Sequence, residues 1–449
     1  LQEEVLAFDE RLFVSGGLRA ERSSVNGNRE KYYVFPRGSA SFRFSGLAPQ
    51  VDEVKLRASI GKAGNQPGYG QRELVLANGG QIDGRLGLVS ASSKGNPELE
   101  PEKMTEIEFG LDASFADGRV GFEGTYFKRD ITDLLLFSPL APSSGLGSEI
   151  VNAGEMETKG WELGLTIAPV RTRDFDWVFL STFYTFQGEV TYLPVPAFIS
   201  SAGFGSAYGR ARTACPGPDK QGKPTISTLG NCGGTVTLQD GQRVHIDPYP
   251  VSAIWGNRYR CDAESSQRTG CGLDSTFTDT IVGDATPDFE MSFSNQMSWK
   301  ALAMTFLIDW RKGGVVSNMT NNLFDEGENS WDYDKPSPDP EIGATLGAYR
   351  YNKWNGGRNS SVYIQDGSFV KLREVTLAYS VPQRLFSRWS SSVDDLRVTL
   401  SGRNLKMWSD YWGFDPEVNN FGNSNVARQV DLAPYPTTKS WSLGLDVRF

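Results

Sequence analysis

Apolar and polar residues alternate one by one in several segments of the chain. Residues 441–449 place Trp, Leu, Leu, Val and Phe at alternate positions, with Ser, Gly, Asp and Arg between them. Successive side chains of a β-strand point to opposite faces, so this segment has one apolar face and one polar face. The same alternation runs through 106–115, 161–167, 289–299 and 302–310. Its repetition predicts an all-β chain.

The alternating segments and the turn residues between them predict about thirteen strands. These lie near residues 1–7, 11–22, 31–45, 53–63, 102–115, 119–135, 153–169, 175–190, 288–299, 301–314, 367–381, 394–407 and 437–449. Short connections, such as 8–10 and 116–118, alternate with long ones. Transmembrane barrels have tight turns on one rim and long loops on the other. We therefore expect a transmembrane antiparallel β-barrel with long extracellular loops and an apolar face toward lipid.

Composition narrows the class of protein further. The chain contains no apolar run of about 18 residues, so membrane-spanning helices are not expected. A net charge of −9 disfavours a nucleic-acid partner, because nucleic acids select basic surfaces. The expected surroundings are instead outer-membrane lipid and lipopolysaccharide.

The predicted strand number is odd, whereas single-chain bacterial barrels have an even number of strands. The first residue, Leu1, is not an initiator methionine, and no signal peptide precedes the first strand. We therefore expect residues 1–449 to be the C-terminal part of a single β-barrel domain. Within it, 191–287 and 315–366 are the longest expected extracellular loops.

Seven short motifs are spread along the chain. They are ASIGKAGNQ at 58–66, NPELEPEK at 96–103, NAGEMETKGWEL at 152–163, DGSFVKLREVTLAY at 366–379, GRNL at 402–405, GFDPE at 413–417 and YP at 435–436. In sequence and in order they resemble the barrel of SusC/RagA-type TonB-dependent outer-membrane transporters. The resemblance covers the chain from about residue 56 to its end.

This resemblance implies a barrel of about 22 strands with an N-terminal plug in its lumen, a plug that this chain does not contain. It also implies a bacterial outer-membrane location, a SusD-like surface lipoprotein as a lid, and the TonB complex acting through the missing plug region. The implied function is import of a bulky nutrient, a glycan or a peptide. The terminal Phe449 is implied to act as a membrane insertion signal. A structural barrel in an outer-membrane assembly, without active transport, is the alternative.

Four cysteines cluster in the longest predicted loop, at Cys215, Cys232, Cys261 and Cys271. In an oxidising extracellular setting this clustering predicts two disulfides that constrain the loop. A zinc site is the alternative, but the spacings lack CxxC pairs and the single histidine of the chain is His245. Three connectivities are open, of which sequential pairing joins the residues closest in sequence.

Enzymatic chemistry has little support in the sequence. A Ser-His-Asp or Cys-His arrangement would depend entirely on His245. The glycine-rich segments 68–70 and 203–205 complete no nucleotide-binding fingerprint. The acidic stretch 325–334 lacks the spacing of an EF-hand, so a solvated loop competes with a calcium site there. We expect no enzyme and no cofactor, with Ca²⁺ in the acidic outer loops as the one candidate ion.

Recognition is expected from aromatic residues of the outer loops, because flat rings stack on sugars and on apolar peptide side chains. The candidates for ligand or lid contact are Trp331, Tyr333, Tyr351, Trp354, Tyr411 and Trp412. The competing interpretation is that these rings form an interfacial girdle or pack the loops.

Four arginines lie on or near the predicted polar faces. We expect them to form ion pairs across the lumen with Glu106, Glu108 or Glu162, while contact with the plug or with substrate is the alternative. The four are Arg43, Arg57, Arg373 and Arg403.

Overall fold

A computed structural model describes most of the chain. The described residues are 1–90, 93–192, 210–211, 217–218, 224–225, 235–237, 243–245, 249–256, 280–357, 360–386, 393–417, 430–435 and 437–449. Cys215, Cys232, Cys261 and Cys271 lie outside them, so the two disulfides stay a prediction. The glycine-rich segment 203–205 also lies outside.

Within the described ranges, thirteen strands form one antiparallel sheet in chain order. They are β1 (Gln2–Ala7), β2 (Leu12–Glu21), β3 (Tyr33–Ala48), β4 (Val51–Ala63), β5 (Lys103–Phe115), β6 (Val120–Thr132), β7 (Glu155–Arg171), β8 (Phe175–Tyr192), β9 (Pro287–Trp299), β10 (Leu302–Gly313), β11 (Phe369–Ser380), β12 (Asp395–Trp408) and β13 (Ser440–Arg448). Each strand pairs with its neighbours in sequence, and β1 and β13 form the two edges of this path. The all-β class and the predicted strands are confirmed.

The connections alternate in length as predicted. Residues 8–10 and 116–118 are tight turns in which three successive residues have positive φ. In the second turn Asp52 accepts hydrogen bonds from the backbone N–H groups of Asp117 (3.1 Å) and Gly118 (2.8 Å). The long connections all leave from the opposite ends of the strands, because consecutive antiparallel strands place alternate connections on opposite rims.

Two of the long loops are tied together by the motif residues at 96–103 and 152. The backbone N–H of Glu100 donates to Asn152 Oδ1 (2.8 Å), and Asn152 Nδ2 donates back to the Glu100 carbonyl (2.7 Å) and to that of Asp133 (3.0 Å). Leu99, the residue before Glu100, is fully buried. These motif residues therefore have a structural role in joining neighbouring loops.

Short elements occupy the long loops. The strands are Leu76–Ile82, Arg85–Ser90, Ser93–Lys94, Leu135–Pro139, Ser148–Asn152, Arg210–Ala211, Gly217–Pro218, Pro224–Thr225, Thr235–Thr237, Arg243–His245, Tyr249–Pro250, Ala253–Gly256, Thr280–Asp284, Val315–Asn318, Ile364–Asp366 and Val430–Asp431. The helices of the long loops are α1 (Met319–Glu326) and α2 (Leu346–Gly357), with 3₁₀ turns at Pro142–Ser144, Trp331–Asp334 and Ser360–Tyr363. A short helix, α3 (Gln383–Phe386), lies in the connection between β11 and β12 on the opposite rim. Among the described residues, no helix is long and apolar enough to cross a membrane.

The outer face of the sheet is apolar and exposed. Phe109, Tyr126 and Trp161 are direct neighbours across β5, β6 and β7, and the rings of Tyr126 and Trp161 lie 5.0 Å apart. On the edge strand β13, Leu443 and Leu445 are also exposed. A continuous apolar surface of this kind is typical of a face that contacts lipid or another protein.

Candidate functional site

Helix α1 buries most of its polar side chains, whereas two of its apolar ones, Leu323 and Phe324, are exposed. Its first turn is capped by Asn318, whose Oδ1 accepts from the backbone N–H of Asn321 (2.8 Å). Asp325 is 0% exposed, whereas Leu323 is 44% and Phe324 is 37% exposed. Buried polar groups are stable only with hydrogen-bonding partners, so this helix depends on the residues that surround it.

Arg350 on α2 supplies the main partner. Its Nε donates to Asp325 Oδ2 (2.8 Å) and its Nη2 to Asp325 Oδ1 (2.9 Å), a two-pronged contact. Its Nη1 donates to Asp332 Oδ2 (2.5 Å), and Nη2 also reaches Asn321 Oδ1 (3.1 Å). One guanidinium thus joins α1, α2 and the 3₁₀ turn Trp331–Asp334.

Hydroxyl groups complete the shell around Asp325. Ser330 Oγ donates to its Oδ1 (2.5 Å), the Tyr363 hydroxyl to its Oδ2 (3.1 Å), and the Tyr333 hydroxyl to its carbonyl (2.9 Å). Burial, together with the nearby Asp325 carboxylate, raises the pKa of Tyr363, so the phenol stays protonated as a donor. The carboxylate is therefore fully engaged by the loop itself.

Asp325 and Asp332 belong to the acidic stretch 325–334, which the sequence offers as a candidate calcium site. Burial would raise the pKa of Asp332, but hydrogen bonds from Lys335 and Arg350 outweigh it and lower that pKa. Arg350 provides the positive charge between Asp325 and Asp332. Within the part of the chain that the structure describes, no group of three or more acidic, His or Cys side chains is arranged to hold a metal ion.

The six candidate aromatic residues lie in different environments. Trp331 is 81% exposed, and Tyr351 and Trp354 lie together on α2 with ring centroids 5.9 Å apart. Tyr411 is buried, and its hydroxyl donates to Asp431 Oδ2 (2.5 Å). Trp412 packs edge-on against Phe324, with centroids 6.3 Å apart. Tyr333 contributes to the Asp325 shell described above. Of the six, Trp331 has the greatest access to a partner.

A second candidate site lies on the polar face of the sheet. Thr125, Glu162, Tyr184, Glu290 and Arg311 are successive cross-strand neighbours on β6 to β10. They line a cavity of about 500 Å³ near the ends of the strands that enter the long loops. A pocket of this volume is in the range that binds small molecules and short polymer segments.

Aromatic rings form one side of this cavity. Phe127 and Phe186 both lie opposite Gly160, one on each neighbouring strand. A Cβ atom at Gly160 would lie 2.8 Å from the Phe127 ring and 2.3 Å from the Thr185 carbonyl oxygen, so only glycine fits there. The Tyr184 and Phe186 rings are 5.3 Å apart. Sequence analysis identified Gly160 as part of a motif but not the rings that it accommodates.

The wall arginines form ion pairs, as expected, but with other partners than predicted. The pairs are Arg43 with Glu53 (3.9 Å), Arg57 with Asp112 (2.9 Å), Arg373 with Asp309 (2.5 Å) and Arg403 with Glu374 (3.2 Å). Pairing with Glu106, Glu108 or Glu162 across the lumen was wrong. Adjacent strands are about 4.8 Å apart, so each arginine reaches a carboxylate on the next strand first.

One further ion cluster joins β11 to the last long loop. Lys371, which is 5% exposed, contacts Asp415 (2.5 Å) and Glu417 (2.5 Å), and Arg373 Nη2 also donates to Glu417 (2.5 Å). Burial would raise the pKa of Glu417, but hydrogen bonds from Arg373 and Lys371 outweigh it and lower that pKa. Glu417 also lines the cavity, so this cluster fixes one part of the cavity wall.

Comparison with known proteins shows which family has this sequence and fold. The family described as "TonB dependent receptor-like, beta-barrel" matches residues 3–228. TonB-dependent receptor P26 of Formosa agariphila is 30% identical over 458 residues, covering 96% of this chain and 44% of that protein. The chain belongs to the TonB-dependent receptor family. This is a family of outer-membrane transporters, not of enzymes.

Two further similarities support a SusC/RagA type for this TonB-dependent receptor. TonB-dependent receptor SusC of Bacteroides thetaiotaomicron is 23% identical over 380 residues, covering 79% of this chain and 32% of that protein. The structure of the RagAB peptide transporter has a similar fold, with a TM-score of 0.70 at 19% identity over 98% of this chain and 46% of that one. The chain spans less than half the length of these relatives.

The outer-membrane location gives the apolar face of this receptor a testable role. Replacing Leu445, 64% exposed, with arginine is expected to cost about 2–4 kcal/mol at mid-membrane depth. Urea titration of the full receptor in lipid vesicles, followed by the heat-dependent gel shift of folded barrels, measures the loss. Ser442→Arg, on the polar face of the same strand, is the control. Equal stability of the Leu445 variant and the parent would show that this face does not meet lipid.

Proposed function

We propose that this chain forms wall and outer loops of a transporter that imports a bulky nutrient, a glycan or a peptide, across the outer membrane. Its membership of the TonB-dependent receptor family supports energy coupling through TonB. The observation that carries the proposal is the position of the cavity. It lies on the polar face of the sheet next to the long loops, where a substrate entering from outside would first meet the wall.

A SusD-like lipoprotein is the proposed lid on the outer loops. Support comes from loop 315–366, where the contacts of Arg350 hold α1 and α2 in place while Leu323, Phe324 and Trp331 remain exposed. Exposed apolar side chains on a rigid support are typical of protein contact surfaces. Trp331 is the aromatic residue of this surface that we expect to contribute most.

Uptake of labelled nutrient by cells that carry the full receptor tests import. Cells with the receptor are expected to accumulate oligosaccharide or peptide, and inactivating TonB should abolish that accumulation. Cells that carry a receptor lacking its plug region are the control for passive leakage. A receptor that assembles stably in the outer membrane, with no TonB-dependent uptake of either nutrient class, would support the structural-barrel alternative instead.

Phe449 is proposed as the insertion signal, an assignment that rests on the family resemblance. It is 81% exposed at the end of the last strand, so its deletion removes no buried contact. We expect deletion to lower the amount of receptor in the outer-membrane fraction severalfold without changing its synthesis. Phe449→Tyr, which keeps an aromatic ring, should restore the amount. Normal membrane yield of the deletion variant would argue against the assignment.

A further inference from the structure

The cavity on the polar face has an uneven distribution of charge. Seven charged side chains line it, five of them acidic, namely Glu106, Glu108, Glu162, Glu290, Glu417, Arg129 and Arg311. Aromatic rings of Phe127, Tyr184 and Phe186 lie among them. The lining therefore combines an excess of carboxylates with flat apolar surfaces in one open cavity.

Three of the glutamates have basic partners. Glu106 pairs with Arg129, Glu290 pairs with Arg311 (3.5 Å), and Glu417 pairs with the basic residues of β11. These pairs leave the two remaining glutamates as the source of the excess negative charge.

Glu108 and Glu162 have no basic partner among the described residues. Glu108 accepts a hydrogen bond from the Ser59 hydroxyl (3.0 Å). Each of the two carboxylates lies directly across from an aromatic residue on the next strand, Glu108 opposite Phe127 and Glu162 opposite Tyr184. Two strand spacings separate β5 from β7, and Glu162 lies two residues along its strand from Gly160, the position level with Glu108. The two side chains therefore start roughly 12 Å apart.

A carboxylate beside an aromatic ring is a binding environment for an organic cation. The carboxylate attracts the charge, the ring face attracts it further, and the apolar stem of a lysine or arginine packs on the ring. An anionic glycan would be repelled by the same lining, and a neutral sugar would leave both carboxylates without a counter-charge.

We infer that this cavity binds basic peptides, with Glu108 and Glu162 each receiving one cationic side chain. The inference rests on the proposed import function and narrows its substrate class. Because an extended peptide advances about 3.3 Å per residue, two basic residues three to four positions apart match the separation of the carboxylates.

Three matched peptides test the inference on the full receptor in detergent. They are Ala-Lys-Gly-Gly-Lys-Ala, with blocked ends, and its analogues with Gln or Glu in place of both lysines. Calorimetry at low salt should show the lysine peptide binding at least tenfold more tightly than the glutamine peptide, with the glutamate peptide weakest. Salt should reduce this difference, because it screens partly exposed charges.

Substitutions of the cavity glutamates then test whether the lysine peptide binds in this cavity. Glu108→Gln and Glu162→Gln keep side-chain size and should each weaken the lysine peptide about five- to tenfold. Glu123→Gln is the control, because Glu123 lies on the same face of β6, opposite Gly164, but outside the cavity lining. A heat-dependent gel shift confirms that every variant is folded.

The outcomes separate this inference from the proposed import function. Equal affinity for the three peptides, or equal loss in Glu123→Gln, would overturn the assignment of basic peptides to this cavity. TonB-dependent uptake of a neutral oligosaccharide, with no binding of the lysine peptide, would overturn it while leaving import intact. Cavity-dependent binding of the lysine peptide without any TonB-dependent uptake would support the site and overturn import.

Discussion

Replacing Arg350 with methionine is expected to destabilise the folded loop 315–366 by about 3–5 kcal/mol. Arg350 is the shared donor to the buried carboxylates of Asp325 and Asp332, at 2.5–2.9 Å. Methionine keeps most of the side-chain volume but leaves the buried Asp325 without a counter-ion and Asp332 with Lys335 as its remaining basic partner. Removing one partner of a buried ion pair costs far more than the pair contributes, because the remaining charges stay desolvated.

Hydrogen–deuterium exchange on the full receptor measures this loss. The protection of peptides from α1 and α2 should fall roughly 150- to 5,000-fold, the factor that corresponds to this free energy. Lys353→Met is the control on the same helix, since Lys353 contacts the Tyr349 ring (4.5 Å) but no carboxylate in the Asp325 shell. Unchanged protection in the Arg350 variant would mean that the loop is held by its apolar contacts.

Replacing Lys371 with methionine is expected to release residues 409–417 from β11. The expected loss of stability is again about 3–5 kcal/mol, because a buried ion pair is broken. Lys371 is 5% exposed and lies between Asp415 and Glu417. Without its ammonium group the two carboxylates repel each other, with Arg373 left as the basic partner of Glu417. Lys371→Arg keeps the charge and should retain much of the protection of this segment in hydrogen exchange.

The same cluster predicts a dependence on pH. The pKa of Glu417 is lowered in the folded protein from its ordinary value of 4.5, so its ion pairs stabilise the loop fully above that value. The stabilisation is lost as the pH falls below 4.5 and through the folded-state pKa. Protection of 409–417, corrected for intrinsic exchange rates, should fall over this range in the parent but stay flat in Glu417→Gln. A flat profile in the parent would contradict the role of Glu417.

Sequence reasoning predicted the strands because their signal is local. Ile107, Phe109 and Leu111 identify the outer face of β5 by period-two alternation alone, whatever the neighbouring strands are. The loop lengths were predictable for the same reason, since turn residues such as Asp9 and Gly118 interrupt the alternation. Each of these features can be recognised within about ten residues.

The candidate sites depended on contacts that no local pattern reveals. Arg350 reaches Asp325 across 25 positions, and Asp332 across 18, within a loop that has no period. Gly110 is a second example of a contact that no sequence pattern reveals. A Cβ atom there would lie 2.6 Å from the Arg57 guanidinium carbon. Only the register of β4 against β5 shows that this glycine lets Arg57 cross to Thr125 (2.8 Å).

The residues that hydrogen-bond to Asp325 constrain how this loop can diverge among homologous receptors. Its carboxylate accepts from Arg350, Ser330 and Tyr363 together, so a change at any one of these positions leaves the others poorly matched. These positions should therefore covary as a group across homologues, while the exposed Trp331 is free to change by itself. Recognition could then diversify at the tip of this loop without altering its support, and a graft between receptors would have to transfer residues 315–366 as one unit.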